Sequence, residues 1–239
     1  EHDLALLRRE SRPLLVALDT SLRALASAGV QPDLVVTLDP TRANLAKFTA
    51  QNPELPLVFF GSARPEPIGA ARHRFFACET GDLLDRAHAW FGREGRVTSQ
   101  GSVLLGALDL LLAAGAGPIA LIGVDLALKN RRTHAGLPNE SSGPVFTVPA
   151  RDGGEVQTSE SLWRHRRRLM RRVAPLAFGR LIDATRYGAE LPGLLRKSLE
   201  EVLDELARPN SGTEQHCARI TQLSEVIDVA AREAAHAAA

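Results

Sequence analysis

The sequence predicts an α/β protein built on a mostly parallel sheet with helices on both faces. Three observations predict it. Apolar runs rich in Leu, Val and Ile recur at residues 14–18, 34–38, 57–60 and 119–123, and runs this short and this continuous suit strands buried on both sides. The stretches between them carry helical spacing, with Leu22, Leu25 and Ala26 on one face of the first. The joins are short: Gly115-Ala116-Gly117-Pro118 leads straight from a helix into a strand, as in a doubly wound sheet.

Taken in order, residues 3–10 read as the tail of a helix and 14–18 as the first strand. Thr20 or Ser21 can cap a helix to about Ala28, where Gly29 ends it and Pro32 follows. Residues 34–38 form the second strand, and Pro40 opens a helix to about Ala50. A third strand covers 57–60, a Pro-rich loop holds Pro65 and Pro67, and 75–77 is extended. An amphipathic helix is expected over 80–91, and the most apolar helix over 103–114, wrapped by leucines and therefore buried. From Lys129 to Gly154 the pattern dissolves into Gly, Pro, Ser, Asn and charge, a long loop with an edge strand at 145–148. Ser159 caps a helix carrying Arg164, Arg166, Arg167, Arg168, Arg171 and Arg172. A last strand covers 180–183. Beyond Pro192-Gly193 the chain reads as helical, near 194–207 and 213–237, with a hinge at 209–212. The expected organisation is a domain over 1–193 and a helical extension over 194–239.

Composition narrows the function. The net charge of +1 argues against a protein that grips nucleic acid, and 5% aromatics leave few platforms for stacked bases. Cys78 and Cys217 stand far apart and form no CxxC, so neither a metal site nor a disulfide framework is indicated. No stretch is apolar enough to span a membrane and no signal peptide is visible, so a cytoplasmic protein is expected. The chain opens on Glu1 rather than Met, and the natural N-terminus is expected to lie upstream. There is no DxD, HExxH, Walker A or GxSxG.

The chemistry is expected at one rim. Asp19, Asp39, Asp125 and Asp183 each follow an apolar run, and ligands of parallel sheets bind outside the carboxyl ends of the strands. Such carboxylates suit a metal, a ribose or a proton transfer; the alternative is that some merely cap the next helix. Asp19-Thr20-Ser21 would also point a helix N-terminus at this rim, where free N–H groups attract phosphate. Ser99-Gln100-Gly101-Ser102 is a second anion site or a plain N-cap. Asp125 with His134, in the loop that follows, could serve as acid and base. Asp33 precedes its strand and reads as structural. The arginine helix reads as a solvated face, since neighbouring positions lie about 100° apart around a helix.

Several segments together resemble a known family: Asp19-Thr20-Ser21, Gly29-Val30-Gln31-Pro32-Asp33, Leu38-Asp39-Pro40, Gly101-Ser102-Val103, Ile122-Gly123-Val124-Asp125-Leu126-Ala127, Thr133-His134-Ala135 and Asp183-Ala184-Thr185. They are similar to the DUF115 domain shared by motility accessory factors (Maf) and MptE-type 6-hydroxymethylpterin diphosphokinases. The resemblance implies a Rossmann-like, sialyltransferase-like nucleotide-binding domain. In the Maf branch it implies transfer of a CMP-activated nonulosonic acid to Ser/Thr of flagellin. Asp125 and His134 would then be catalytic, and Asp19, Thr20, Ser21, Asp39, Gly101, Ser102 and Asp183 would bind nucleotide. In the MptE branch it implies pyrophosphoryl transfer from ATP to a pterin alcohol, with Mg2+ on Asp19 and Asp39. A non-catalytic nucleotide-binding scaffold is a further alternative. The family also carries an earlier strand with a Gly-Pro-Ser loop, and Val124 stands where a polar residue is expected.

Overall fold

The computed structural model describes residues 2–9, 11–38, 52–61, 63, 65–79, 96–128 and 143–206. Asp39, His134, the helices expected at 40–50 and 80–91, the hinge at 209–212 and the helix at 213–237 lie outside them. The described residues form two compact units, one within residues 10–115 and one of residues from 1–9 with 116–206.

The unit of residues 10–115 is a five-stranded sheet in the order β1 (Val16–Leu18), β2 (Leu34–Thr37), β3 (Leu57–Phe60), β4 (Arg74–Glu79) and β5 (Arg96–Val97). Every pairing is parallel. Parallel neighbours need crossovers, and helices α2 (Leu22–Ser27) and α3 (Pro65–Ala70) lie between strands in sequence. Helix α2 ends as expected: Gly29 takes φ 63°, its N–H donates to the Ala26 carbonyl at 3.0 Å, and the Val30 N–H donates to the Leu25 carbonyl at 2.9 Å. Alternate strand residues Leu34, Val36, Val58, Phe60, Ala77 and Val97 form one core face, covered by Ala107 and Leu110 of α4 (Val103–Ala113). Gly106 is what allows this approach, since a Cβ there would lie 2.6 Å from Phe60 Cζ.

Helix α3 corrects the expected Pro-rich loop. Pro65 is its first residue and Pro67 its third. The first four N–H groups of a helix have no partner within it, so neither proline removes a bond.

The other unit joins α1 (His2–Leu6) to the C-terminal part of the described chain. Its sheet is β6 (Ile119–Leu121), β9 (Leu181–Asp183) and β10 (Leu195–Arg196), parallel, in the order β10-β9-β6. Strand β10 departs from the expected unbroken helix beyond residue 193, because Leu195 pairs with Ile182 before the helix begins. Helix α6 (Leu199–Leu206) packs Val202 and Leu206 on Ile182, Ala184, Ala120 and Ile122. Arg9 donates to the Asp204 carboxylate at 2.6 Å, tying the segment after α1 to α6. Strands β7 (Val145–Pro149) and β8 (Glu155–Ser159) form an antiparallel hairpin, whose second strand lies beyond the loop expected to Gly154. Ser159 then caps α5 (Glu160–Val173), accepting from the Leu162 N–H at 3.4 Å. Leu162, Leu169 and Val173 face inward and Arg164, Arg167 and Arg171 face solvent, but Arg166, Arg168 and Arg172 are partly buried and Arg166 donates to the Glu190 carbonyl at 2.8 Å, so the expected solvated arginine face is seen for half of the six.

Candidate functional site

The rim of the five-stranded sheet holds Asp19, which follows β1 directly. Residues 19–21 form a single 3-10 turn, so Asp19 turns back over the sheet. It is only 7% exposed, and its Oδ2 accepts from the Thr37 hydroxyl at 2.8 Å, at the end of the neighbouring strand. Register explains the meeting: Leu18 lies beside Val36, so the residues that follow each emerge together. Ser21 occupies the N-cap position of α2 without capping it. The preceding turn leaves Ser21 helical, at φ −93° and ψ −15°, and its hydroxyl donates to the Leu18 carbonyl at 2.7 Å. Thr20 is partly buried between them. Asp33 is structural, as expected: it accepts from Arg12 and from the Leu15 N–H at 2.7 Å.

Residues 99–102 enter α4 in the same unit. Gln100 and Gly101 both have left-handed backbones, at φ 50° and 74°. The Gly101 N–H donates to the Ser99 hydroxyl at 3.1 Å, and the Ser102 N–H to the Ser99 carbonyl at 2.9 Å. Ser102 is the N-cap residue, 7% exposed, yet its side chain makes no capping bond. A Cβ at Gly101 would meet nothing within 4 Å, so this loop leaves open space beside its backbone.

Asp125 and Asp183 belong to the other unit, and the structure brings their segments together through Arg151, a residue the sequence reading passed over. Asp183 ends β9 and is 3% exposed. Its Oδ2 accepts from Arg151 Nε at 2.6 Å and its Oδ1 from the Thr185 N–H at 3.2 Å. Both oxygens are thus engaged within the chain, and the Asp183 carboxylate helps to frame this loop. The guanidinium continues to the carbonyls of Val124 and Tyr187, each at 2.9 Å. The Thr185 hydroxyl donates to the Leu121 carbonyl at 3.2 Å and accepts from the Val124 N–H at 3.1 Å. Asp125 is partly buried, and its carbonyl accepts from the Ala189 N–H at 2.8 Å. The signal for Arg151 was a lone arginine before Asp152-Gly153-Gly154, a hairpin turn in which the Gly154 N–H donates to Asp152 at 3.1 Å.

Among the described residues no group of three His, Cys, Asp or Glu side chains could hold a metal. Of the pair expected to bind Mg2+, Asp19 supplies one buried carboxylate and Asp39 lies outside the described residues. No described helix is long and apolar enough to cross a membrane.

Parallel strands, intervening helices and polar groups gathered at strand ends define a Rossmann-like α/β protein. Residues 1–131 match the family described as 6-hydroxymethylpterin diphosphokinase MptE-like, and the chain belongs to that family. Its structure is also similar to that of a Maf glycosyltransferase from Magnetospirillum magneticum AMB-1, with a TM-score of 0.67 and 16% sequence identity. The likeness covers 94% of this chain and 35% of that one, so the chain spans about a third of that protein. At this identity the likeness concerns the fold. No curated protein matches the chain in sequence.

Proposed function

We propose that the chain is the nucleotide-sugar-binding part of a Maf-type glycosyltransferase, which transfers a nonulosonic acid from its CMP-activated form to Ser/Thr of flagellin. The observation that supports this reading is extent: the likeness to the Maf enzyme runs through 94% of the chain, whereas the family match stops at residue 131. On this reading the open loop at Gly101 and Ser102 takes the CMP phosphate against the N-terminus of α4, and Asp19, Thr20, Ser21 and Asp39 face the nucleoside. Asp125 or His134 takes the proton of the acceptor hydroxyl. The new C–O bond forms at the anomeric carbon as the bond to phosphate breaks, and CMP departs. The test is incubation with a CMP-nonulosonate and flagellin, followed by intact mass and CMP release. A flagellin mass gain that Asp125→Asn reduces by about a hundredfold or more supports the assignment. No CMP release and no mass gain overturns it.

The family description favours a second reading, a Mg2+- and ATP-dependent pyrophosphokinase acting on a pterin alcohol. Asp19 and Asp39 would hold the metal, whose contribution would be charge neutralisation at the phosphates. This reading requires AMP to form from ATP when 6-hydroxymethylpterin is present, and it fails if none does.

A further inference from the structure

An arginine side chain is rarely buried, because its charge and five N–H donors all need partners away from water. Arg151 is buried nonetheless: its side chain is 2% exposed and that of its ion partner Asp183 is 4% exposed. The fork reaches the Val124 and Tyr187 carbonyls as well as the Asp183 carboxylate, and at the longer distance of 3.5 Å the Asp125 carbonyl. The same carbonyl is held from the other side by the Ala189 N–H at 2.8 Å. Gly188 is the residue that lets the two grips coexist. Its φ is 119°, and a Cβ there would lie 2.2 Å from the Asp125 carbonyl oxygen and 2.6 Å from Arg151 Nη1. Leu126, next in the chain, has φ 48°, a backbone state that a branched residue keeps only when its surroundings hold it. The Thr158 hydroxyl supplies part of that hold by donating to the Leu126 carbonyl at 2.9 Å.

We propose that Arg151, seated on Asp183 and admitted by Gly188, is the positioning residue that sets the direction of Asp125. The inference rests on the reading of Asp125 as the acid–base group, but the clamp itself has a readout independent of turnover. A planar fork fixes three carbonyls in one geometry, which neither a lysine nor an apolar residue of similar volume reproduces. The Asp125 backbone would then drift, and a drift of this kind lowers the rate of the chemical step more than it weakens donor binding.

The experiment compares the full chain with Arg151→Lys, Arg151→Met and Gly188→Ala, at a temperature where thermal melting shows each variant folded. The expected result is a kcat lower by about a hundredfold with KM for the CMP-donor little changed. Hydrogen exchange at the Ala189 amide, which reads the grip on Asp125, is expected to quicken by about tenfold or more in all three. A folded Arg151→Met with the parent's kcat, or an unchanged Ala189 exchange rate, overturns the proposal. Should Arg151→Met fail to fold, Arg151→Lys and Gly188→Ala carry the same two readouts. Should the parent chain show no turnover, the transferase reading falls, and Ala189 exchange alone decides the clamp: faster exchange upholds it and unchanged exchange overturns it.

Discussion

Thr37 sits at the end of a strand that is buried along its whole length, and it is 0% exposed. A hydroxyl there is tolerated because it donates to Asp19, whose carboxylate would otherwise bear more of the cost of leaving water. Thr37→Val keeps the shape and removes the donor. It is expected to lower stability by about 1–3 kcal/mol, read by urea unfolding. His165 gives a prediction in pH. Burial first, and the charge of Arg168 second, lower its pKa from 6.5. The unfolded chain therefore takes up a proton before the native one does, and stability is full above about pH 6.5 and erodes as pH falls toward the native pKa. His165→Gln should flatten the stability profile as pH falls below about 6.5, measured as the difference from the parent chain. The residues also show what a sequence conceals. Asp19 and Asp33 were legible because each stands at one end of an apolar run. Arg151 was not, because the partners of its guanidinium lie 26 to 36 positions away, and the turn sequence that follows it says nothing of them.

Helix α4 was the clearest element in the sequence and is observed at Val103–Ala113, within a residue of its expected end. Its leucines declared burial, but the glycine in their midst declared nothing until Phe60 was seen beneath it. Two effects compete at Gly106. Alanine would favour the helix by about 1 kcal/mol, while forcing a methyl against a ring costs about 1–3 kcal/mol. Phe60 is 0% exposed and has no room to withdraw, so the second effect wins and Gly106→Ala should be destabilising. Phe60→Leu in the same chain should relieve part of the loss, which a double-mutant cycle would show as non-additivity. Strand β8 was missed for a physical reason: Val156 and Thr158 point inward while Glu155 and Gln157 point outward, and Val156 is the one apolar residue of the five. The start of α6, later than the expected residue 194, carries a local signal of its own. Ser198 and Glu201 form a reciprocal cap, the Glu201 N–H donating to Ser198 Oγ at 3.2 Å and the Ser198 N–H to Glu201 Oε2 at 2.7 Å. The Ser198 N–H, and then its hydroxyl, hold the Glu201 carboxyl below its ordinary range.

At the scale of the whole chain, fold class and family were legible because both rest on the order of short segments, the family within residues 1–131 and the fold at an identity of 16%. The division into units of residues 10–115 and 116–207 was not, because an apolar run records that it is buried and not which strand it pairs with. Strand β6 pairs with β9, some sixty residues on. The nucleotide proposal yields a prediction at this scale. A ligand of the folded chain present at about a hundredfold its Kd adds about 2.7 kcal/mol to stability. CMP should raise the melting temperature, and Ser102→Ala should abolish the rise with little effect on the unliganded melt, since the Ser102 side chain makes no capping bond that could be lost. A rise that survives Ser102→Ala would place the nucleotide elsewhere.

Arg151 also bears on the order in which the molecule is made. Its guanidinium touches stretches near residues 124, 183 and 187, and it closes loops of 27, 32 and 36 positions at once. Each closure costs chain entropy before the contact repays it. The side chain therefore settles only after β6, the hairpin and β9 have all arrived, a late event in folding. A nascent chain would assemble its strands first and the contacts around Arg151 last.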